Sequence, residues 1–249
     1  MCLVTFRIAP NEDLSLVLVG NRDELHNRPT DPLHWWAEPE ILAGLDLEAG
    51  GTWLAVSRSG RFGVLTNLRG FGAANPTRSR GHLIPEFLGG DRSPVEFMRD
   101  LHRSASRYAG FNLLIGDATG AWLYSNGTPD TVHHLPPGYH GLSNGLYLDP
   151  WPKVTRANRA LRRQLEGPRP TDGLADILLD RTVRPDAELP QTGLSMELER
   201  RLSAAFICHP HYGTRSTTVC ILRRDGTGSM QETGFDPEGR KTRQIDIYF

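Results

Sequence analysis

Lysine is almost missing from this chain of 249 residues: only Lys153 and Lys241 occur among 28 basic residues, and the rest are arginine. With 29 acidic residues opposing them the net charge is −1, which leaves no electrostatic footprint for nucleic acid or an anionic membrane. Cysteine is scarce too. Cys2, Cys208 and Cys220 form an odd, widely spaced set, which argues against a disulfide framework and makes a reducing cytoplasm the expected setting. No stretch approaches the roughly 18 apolar residues of a membrane span. No basic region precedes a long apolar run at the start, so a secretory signal is not expected, and the second residue is not the glycine that myristoylation needs. What remains is a globular composition, 38% apolar and 23% charged, suited to one layered domain over residues 1–249.

The first half reads as successive hairpins. CLVTFRI alternates Cys2, Val4, Phe6 and Ile8 against Leu3, Thr5 and Arg7, and LSLVLVG answers it after the turn residues APNED. TWLAVS pairs with RFGVLTN, and FNLLIG with AWLYS. The tail repeats the pattern with STTVCILRR, SMQETGF and QIDIYF. Helices are expected between these pairs. SPVEFMRDLHRSASRY opens on Ser93 with Pro94 next and Glu96 at capping-box spacing, and KVTRANRALRRQLEG stops at Gly167-Pro168. DGLADILLD and LSMELERRLSAAF complete the set, while residues 25–50 and 68–92 read as loops. Arg156, Arg159 and Arg163 share one helix face, expected to be solvated. Hairpins with helices inserted in blocks predict an α+β architecture of antiparallel sheets covered by helices.

The chemistry gathers near position 2. A first turn centred near Asn11 places Ile8 opposite Leu14 and Cys2 opposite Gly20, so that Asn21, Arg22, Asp23 and Glu24 emerge beside the thiol. A cysteine at a strand start is ordinarily core. Methionine is generally trimmed ahead of a small second residue, however, and trimming would give Cys2 a free α-amine of reference pKa about 7.7–8.0, a built-in base for its own thiol. Arg22 would favour the thiolate and Asp23 would hold the amine or thiol. Adjacent strand residues point to opposite faces, so Arg22 and Asp23 both reach Cys2 only if the chain has left the strand by Asn21.

A Met-Cys start, NRDE at 21–24, GGTW at 50–53, GVLTN at 63–67, GLSNG at 141–145 and YGTRSTTV at 212–219 occur in this order. Together they resemble the NRDE family, which includes the transport and Golgi organisation protein 2 homologues, and the resemblance runs along the whole chain. That family is in turn similar to the N-terminal-nucleophile hydrolases, which implies a four-layer αββα sandwich of two antiparallel sheets. In their cysteine branch, with the bile salt hydrolases and penicillin V acylases, the cysteine attacks an amide carbonyl. The resemblance implies Cys2, Arg22, Asp23, Asn144 and Arg215 as catalytic residues, with Asn21, Glu24, Asn67 and Trp53 around the substrate. Asn67 competes with Asn144 for the oxyanion role, because LTN also ends a strand.

Two functions follow as expectations. One is hydrolysis of a non-peptide C–N amide by Cys2 after removal of Met1, without a cofactor. The other is a non-catalytic carrier for haem or a lipid-like ligand such as an acyl-CoA, processes to which the family is linked. Without a CxxCH site, haem would be held non-covalently. The CHPHY cluster of Cys208, His209 and His211 has no second cluster at zinc spacing, so no metal is expected. Trp35, Trp36 and Trp151 either cap the core or line a pocket for an apolar ligand.

Overall fold

The computed structural model describes residues 2–73, 75–128 and 132–249. Removal of Met1 therefore lies outside the described residues. In chain order the strands are β1 (Cys2–Ile8), β2 (Leu14–Leu25), β3 (Thr30–Trp35), β4 (Ile41–Asp46), β5 (Leu54–Ser57) and β6 (Phe62–Gly72). They continue as β7 (Ala109–Asp117), β8 (Gly120–Ser125), β9 (Val132–Leu135), β10 (Gly138–Leu142), β11 (Tyr212–Arg223), β12 (Gly228–Phe235) and β13 (Lys241–Tyr248). Among the described residues these pair into two antiparallel sheets. One runs β10-β1-β2-β11-β12-β13, and the other runs in plain sequence order from β3 to β9. The helices are α1 (Leu83–Leu88), α2 (Pro94–Ser104), α3 (Pro152–Leu165) and α4 (Met196–Arg201).

Strand alternation sorts the side chains into layers. Val4, Phe6, Leu16 and Leu18 of the first sheet meet Leu42, Val56, Val64 and Leu114 of the second in a core between the sheets. On the outer face of the second sheet, Ile41, Leu113 and Ile115 lie under Ile84, Phe87, Phe97 and Met98 of α1 and α2. On the outer face of the first, Leu3, Val17 and Val19 pack against Ala157 and Leu161 of α3 and the 3-10 turn Leu174–Leu178. The result is the four-layer αββα sandwich. Each large side chain buried in these layers contributes about 1.5–3 kcal/mol, which is why parity along the strands is so strongly specified.

The hairpins and α2 follow from the sequence, and Ser93 closes its capping box with Glu96. Other elements differ. The stretch 25–50 contains β3 and β4, disguised by Pro32 and by a register shift between Asp31 and His34. The stretch 68–92 contains α1, only six residues long. DGLADILLD is a 3-10 turn, and the last predicted helix ends at Arg201. Beyond it the chain runs in turns, and the Phe206 amide donates to the Asp180 carbonyl at 2.9 Å. Among the described residues, no helix is long and apolar enough to cross a membrane.

Candidate active site

The first hairpin turns one residue later than expected. The Ala9 amide donates to the Ser15 carbonyl at 2.9 Å and the Glu12 amide to the Ala9 carbonyl at 2.9 Å, so the turn centres on Glu12. Moving the centre by one residue moves every pair by two and leaves parity unchanged. Ile8 therefore pairs with Leu16, and Cys2 pairs with Arg22 rather than Gly20. The chain has also not left the strand by Asn21: β2 continues to Leu25. Arg22 shares the inter-sheet face with Cys2, while Asn21 and Asp23 point to the face under α3.

On the inter-sheet face one register row crosses the sheet: Cys2, Arg22, Ser216, Gly234 and Arg243. This row floors a cavity of about 210 Å³. Its opposite wall comes from β4, from the Gly51–Trp53 segment, from Leu65 and Asn67 of β6, and from Ser79–Gly81. Glycine is required where GGTW passes the loop. A Cβ on Gly51 would lie 2.7 Å from the Gly81 Cα, and the Thr52 amide donates to the Gly81 carbonyl at 3.0 Å. This crossing sets Arg80 in the wall, anchored by its Nη1 to the Gly110 carbonyl at 2.6 Å. Trp53 lies across Gly20, where a Cβ would come within 2.8 Å of its Cη2.

Charge lines this cavity. Arg28 and Arg22 both reach Asp46 Oδ2, at 2.6 and 3.3 Å. Burial opposes ionisation of Asp46, but the Arg28 and Ala49 hydrogen bonds and the two guanidinium charges hold its carboxyl below the usual range. Arg215 enters through a β-bulge. Thr214 pairs with Asp23 and Ser216 with Arg22, so Arg215 is the extra residue and its side chain is re-aimed to the cavity. Its Nη1 donates to the carbonyls of Leu25 (3.2 Å) and Arg28. Burial pushes the Cys2 thiol up to about 11, opposed by the Arg22 charge and the Asp23 backbone hydrogen bond. A thiol so placed needs a base.

The back face is sealed. Asn21 Nδ2 donates to the carbonyls of Leu178 (3.0 Å) and Ala205 (2.9 Å), and its Oδ1 accepts from Thr217 Oγ1 at 2.6 Å. The Asp23 Oδ1 accepts from Thr214 Oγ1 at 2.7 Å, and Tyr212 donates its hydroxyl to the Asp23 carbonyl at 3.0 Å. Burial pushes the Asp23 carboxyl up, against the charge of Lys153 and the Thr214 hydrogen bond. Lys153 is itself buried, donating to the Leu202 carbonyl at 2.9 Å. Burial pulls its ammonium down to about 8, although the Asp23 charge supports it. A buried ion pair of Arg69 and Glu199 at 3.1 Å belongs to the same layer.

Of the residues expected from sequence, Cys2, Arg22, Glu24, Trp53, Asn67 and Arg215 line the cavity, and Asp23 borders it with its carboxyl turned to the back. Two residues do not join them. Asn21 is held in the back layer by its three hydrogen bonds, outside the cavity lining. Asn144 is fully buried outside the cavity lining, and its Nδ2 donates to the Asn67 carbonyl at 2.8 Å. Asn67, whose carbonyl accepts that bond, is the asparagine of the two that lines the cavity. Trp35, Trp36 and Trp151 stand elsewhere: Arg58 stacks on Trp35, Trp36 Nε1 donates to the Ala43 carbonyl at 3.2 Å, and Trp151 is buried. His209 lies outside the cavity, its carbonyl 3.0 Å from His26 Nε2. Sequence reading missed Arg28, Asp46, Arg80, Glu232, Arg243 and Lys153. The near-absence of lysine was a usable signal for the last; the others depend on which strands meet.

The family described as Transport and Golgi organisation 2 matches residues 1–237. Over 255 aligned residues the chain is 32% identical to the Transport and Golgi organization protein 2 homolog of Homo sapiens, covering 93% of this chain and 92% of that protein. The Mus musculus homolog is 31% identical at the same coverage. Among solved structures, the C2A mutant of a conjugated bile acid hydrolase from Clostridium perfringens superposes with a TM-score of 0.56 at 8% identity, over 99% of this chain and 92% of that one. At that identity the likeness concerns the fold alone, an N-terminal-nucleophile-hydrolase-like sandwich.

Proposed function

This chain belongs to the Transport and Golgi organisation 2 family, and we propose that it is a cytoplasmic cysteine amidohydrolase cleaving a non-peptide C–N amide bond. The observation that carries the reading is the pairing of Cys2 with Arg22 at the floor of a charged cavity between the sheets. With Met1 removed, the Cys2 nitrogen is an α-amine of reference pKa about 7.7–8.0, able to take the thiol proton near neutral pH. The thiolate, favoured by Arg22, attacks the amide carbonyl carbon. A C–S bond forms, and the carbonyl electrons move onto oxygen, where on this reading the side-chain amide of Asn67, a residue of the cavity lining, donates. Collapse breaks the C–N bond, and the leaving amine takes the proton held by the α-amine. Water then attacks the thioester, giving a proton to the same amine and regenerating the thiol. Asp23 acts from behind the sheet and Asn144 through Asn67, as positioning residues. The bile acid hydrolase of similar fold, solved as a C2A mutant, supports attention to the second residue.

The alternative is a carrier for haem or a lipid-like ligand such as an acyl-CoA. The cavity's five arginines would also accept the carboxylates or phosphates of such a ligand, but the charged residues among the lining do not suit its apolar body. The test is a panel of N-acyl amides against wild type and Cys2→Ala, with the intact mass of the native protein. Turnover lost in the variant, with Met1 absent from the native chain, is the expected result. Equal turnover by the two proteins, or full retention of Met1 in an active sample, would overturn it. No turnover combined with stoichiometric titration by haem or an acyl-CoA would favour the carrier.

A further inference from the structure

The cavity holds more guanidinium than the carboxylates facing it can neutralise. Arg22, Arg28, Arg80, Arg215 and Arg243 line it, against Glu24, Asp46 and Glu232, while the Asp23 carboxyl is turned to the back face. Two of the arginines share Asp46, and Arg243 reaches Glu232 at 3.3 Å. Among the described residues Arg215 has no carboxylate within ion-pair distance. Its Nη1 is spent on backbone carbonyls, which leaves Nε and Nη2 for another acceptor. Burial pulls the Arg215 guanidinium down, and the like charges of Arg22 and Arg243 pull in the same direction.

The floor between these arginines is cut low. Ser216 and Gly234 stand between Arg22 and Arg243 in the register row. A Cβ on Gly234 would come within 2.9 Å of Arg243 Cγ, so Arg243 folds over that glycine along the floor. Guanidinium forks beside a hydroxyl are the donor set that a carboxylate or phosphate takes. Ser216 is two strands from Cys2, so this donor set lies roughly 10 Å from the thiol. An extended chain of roughly six to eight bonds spans that distance.

We propose that Arg215, Arg243 and Ser216 form an oxyanion-binding subsite, and that the substrate is a small amide carrying a carboxylate or phosphate about six to eight bonds from the scissile carbonyl. The substrate class rests on reading Cys2 as the nucleophile; the subsite itself does not. The position matters as much as the charge. An anion beside the scissile bond would sit at Arg22, whereas this one is held further along the row.

The experiment uses the full chain carrying Cys2→Ala, which keeps the cavity and removes turnover. Monoamides of linear dicarboxylic acids of increasing length, their methyl esters, and phosphate-ended analogues are titrated calorimetrically. The expected result is an affinity maximum at the six-to-eight-bond spacing, a loss of at least about tenfold on esterification, and a similar loss in Arg215→Met for the acid but not the ester. Because Arg215 also ties down the Leu25–Arg28 segment, Arg243→Met serves as the second variant, and it too should weaken the acid selectively. The phosphate arm identifies which oxyanion the fork prefers; tighter binding of either kind than of the ester supports the subsite. Equal binding of acid and ester, no dependence on length, or no measurable binding by any probe overturns it. Wild-type protein that binds the best acid without hydrolysing it would sink the nucleophile reading and leave the subsite standing.

Discussion

At the end of β2, Arg22 and Asp23 are neighbours in sequence and strangers in space. Arg22 faces the cavity with Cys2, Glu24 and the arginines of other strands, where groups are arranged around open volume. Asp23 faces a sealed layer with Thr214, Tyr212 and Lys153, where polar atoms are tied to protein partners. A string that reads as one motif is thus split by strand alternation into a chemical half and a structural half. The front can change its charge pairing when a ligand enters. The back cannot, because a buried charge that loses its partner costs several kcal/mol.

The largest effect should come from breaking the back alone. Glu199 is 4% exposed, is paired with Arg69 at 3.1 Å, and accepts from the Thr192 amide at 3.1 Å and from the Thr192 hydroxyl. Glu199→Ala should cost about 3–5 kcal/mol in urea unfolding, since it removes the carboxylate of a buried ion pair. If the faces are as separate as described, the rate of Cys2 alkylation below the unfolding transition should stay within about twofold of wild type. A large change in that rate would show the two halves to be one unit.

Asn67 and Asn144 sharpen the same contrast from the other direction. Asn67→Ala removes the side-chain amide of a residue that lines the cavity, and should lower kcat about 100-fold, roughly 3 kcal/mol, while moving stability by less than about 1 kcal/mol. Asn144→Ala removes a fully buried donor to the Asn67 carbonyl and should cost about 1–3 kcal/mol of stability. Urea midpoints and steady-state kinetics on both variants check the pair. Reversal of the two patterns would move the oxyanion role to Asn144.

This division explains what could be read from sequence. Hairpins were legible because alternation over CLVTFRI and LSLVLVG is forced by burial on both faces of the sheet. Parity survived a mistaken turn centre, since a one-residue error there shifts partners by two. The partner itself did not survive it, and Arg22 was placed beyond the strand instead of opposite Cys2. Arg215 was found through its motif, but the bulge that aims it exists only because β11 must meet both Arg22 and Asp23. Arg243 and Asp46 carry no local signal at all. They reach the cavity through the stacking of two sheets, which no window of sequence contains.

Lys153 offers the most specific test, because it titrates in the back layer and is not among the residues of the cavity wall. Its ammonium is pulled from an ordinary 10.5 down to about 8, chiefly by burial, with Arg69 adding to that pull and Asp23, Cys2 and Glu199 opposing it. Below pH 8 both folded and unfolded chains hold the proton, so no stability is exchanged. Between about pH 8 and 10.5 the folded protein has released it while the unfolded chain retains it. The unfolded state then binds more protons, so this group makes stability rise with pH across that window, by roughly 3 kcal/mol in all. The Cys2 thiol, pushed up to about 11, works in the opposite sense at the upper end, but it is common to wild type and variant. In Lys153→Met nothing titrates at this position. The difference in unfolding free energy, wild type minus variant, should therefore widen as pH rises from 8 to 10, measured by urea denaturation at each pH. Parallel curves would mean that Lys153 keeps its proton in the fold, with the nearby Asp23 charge outweighing the cost of burial.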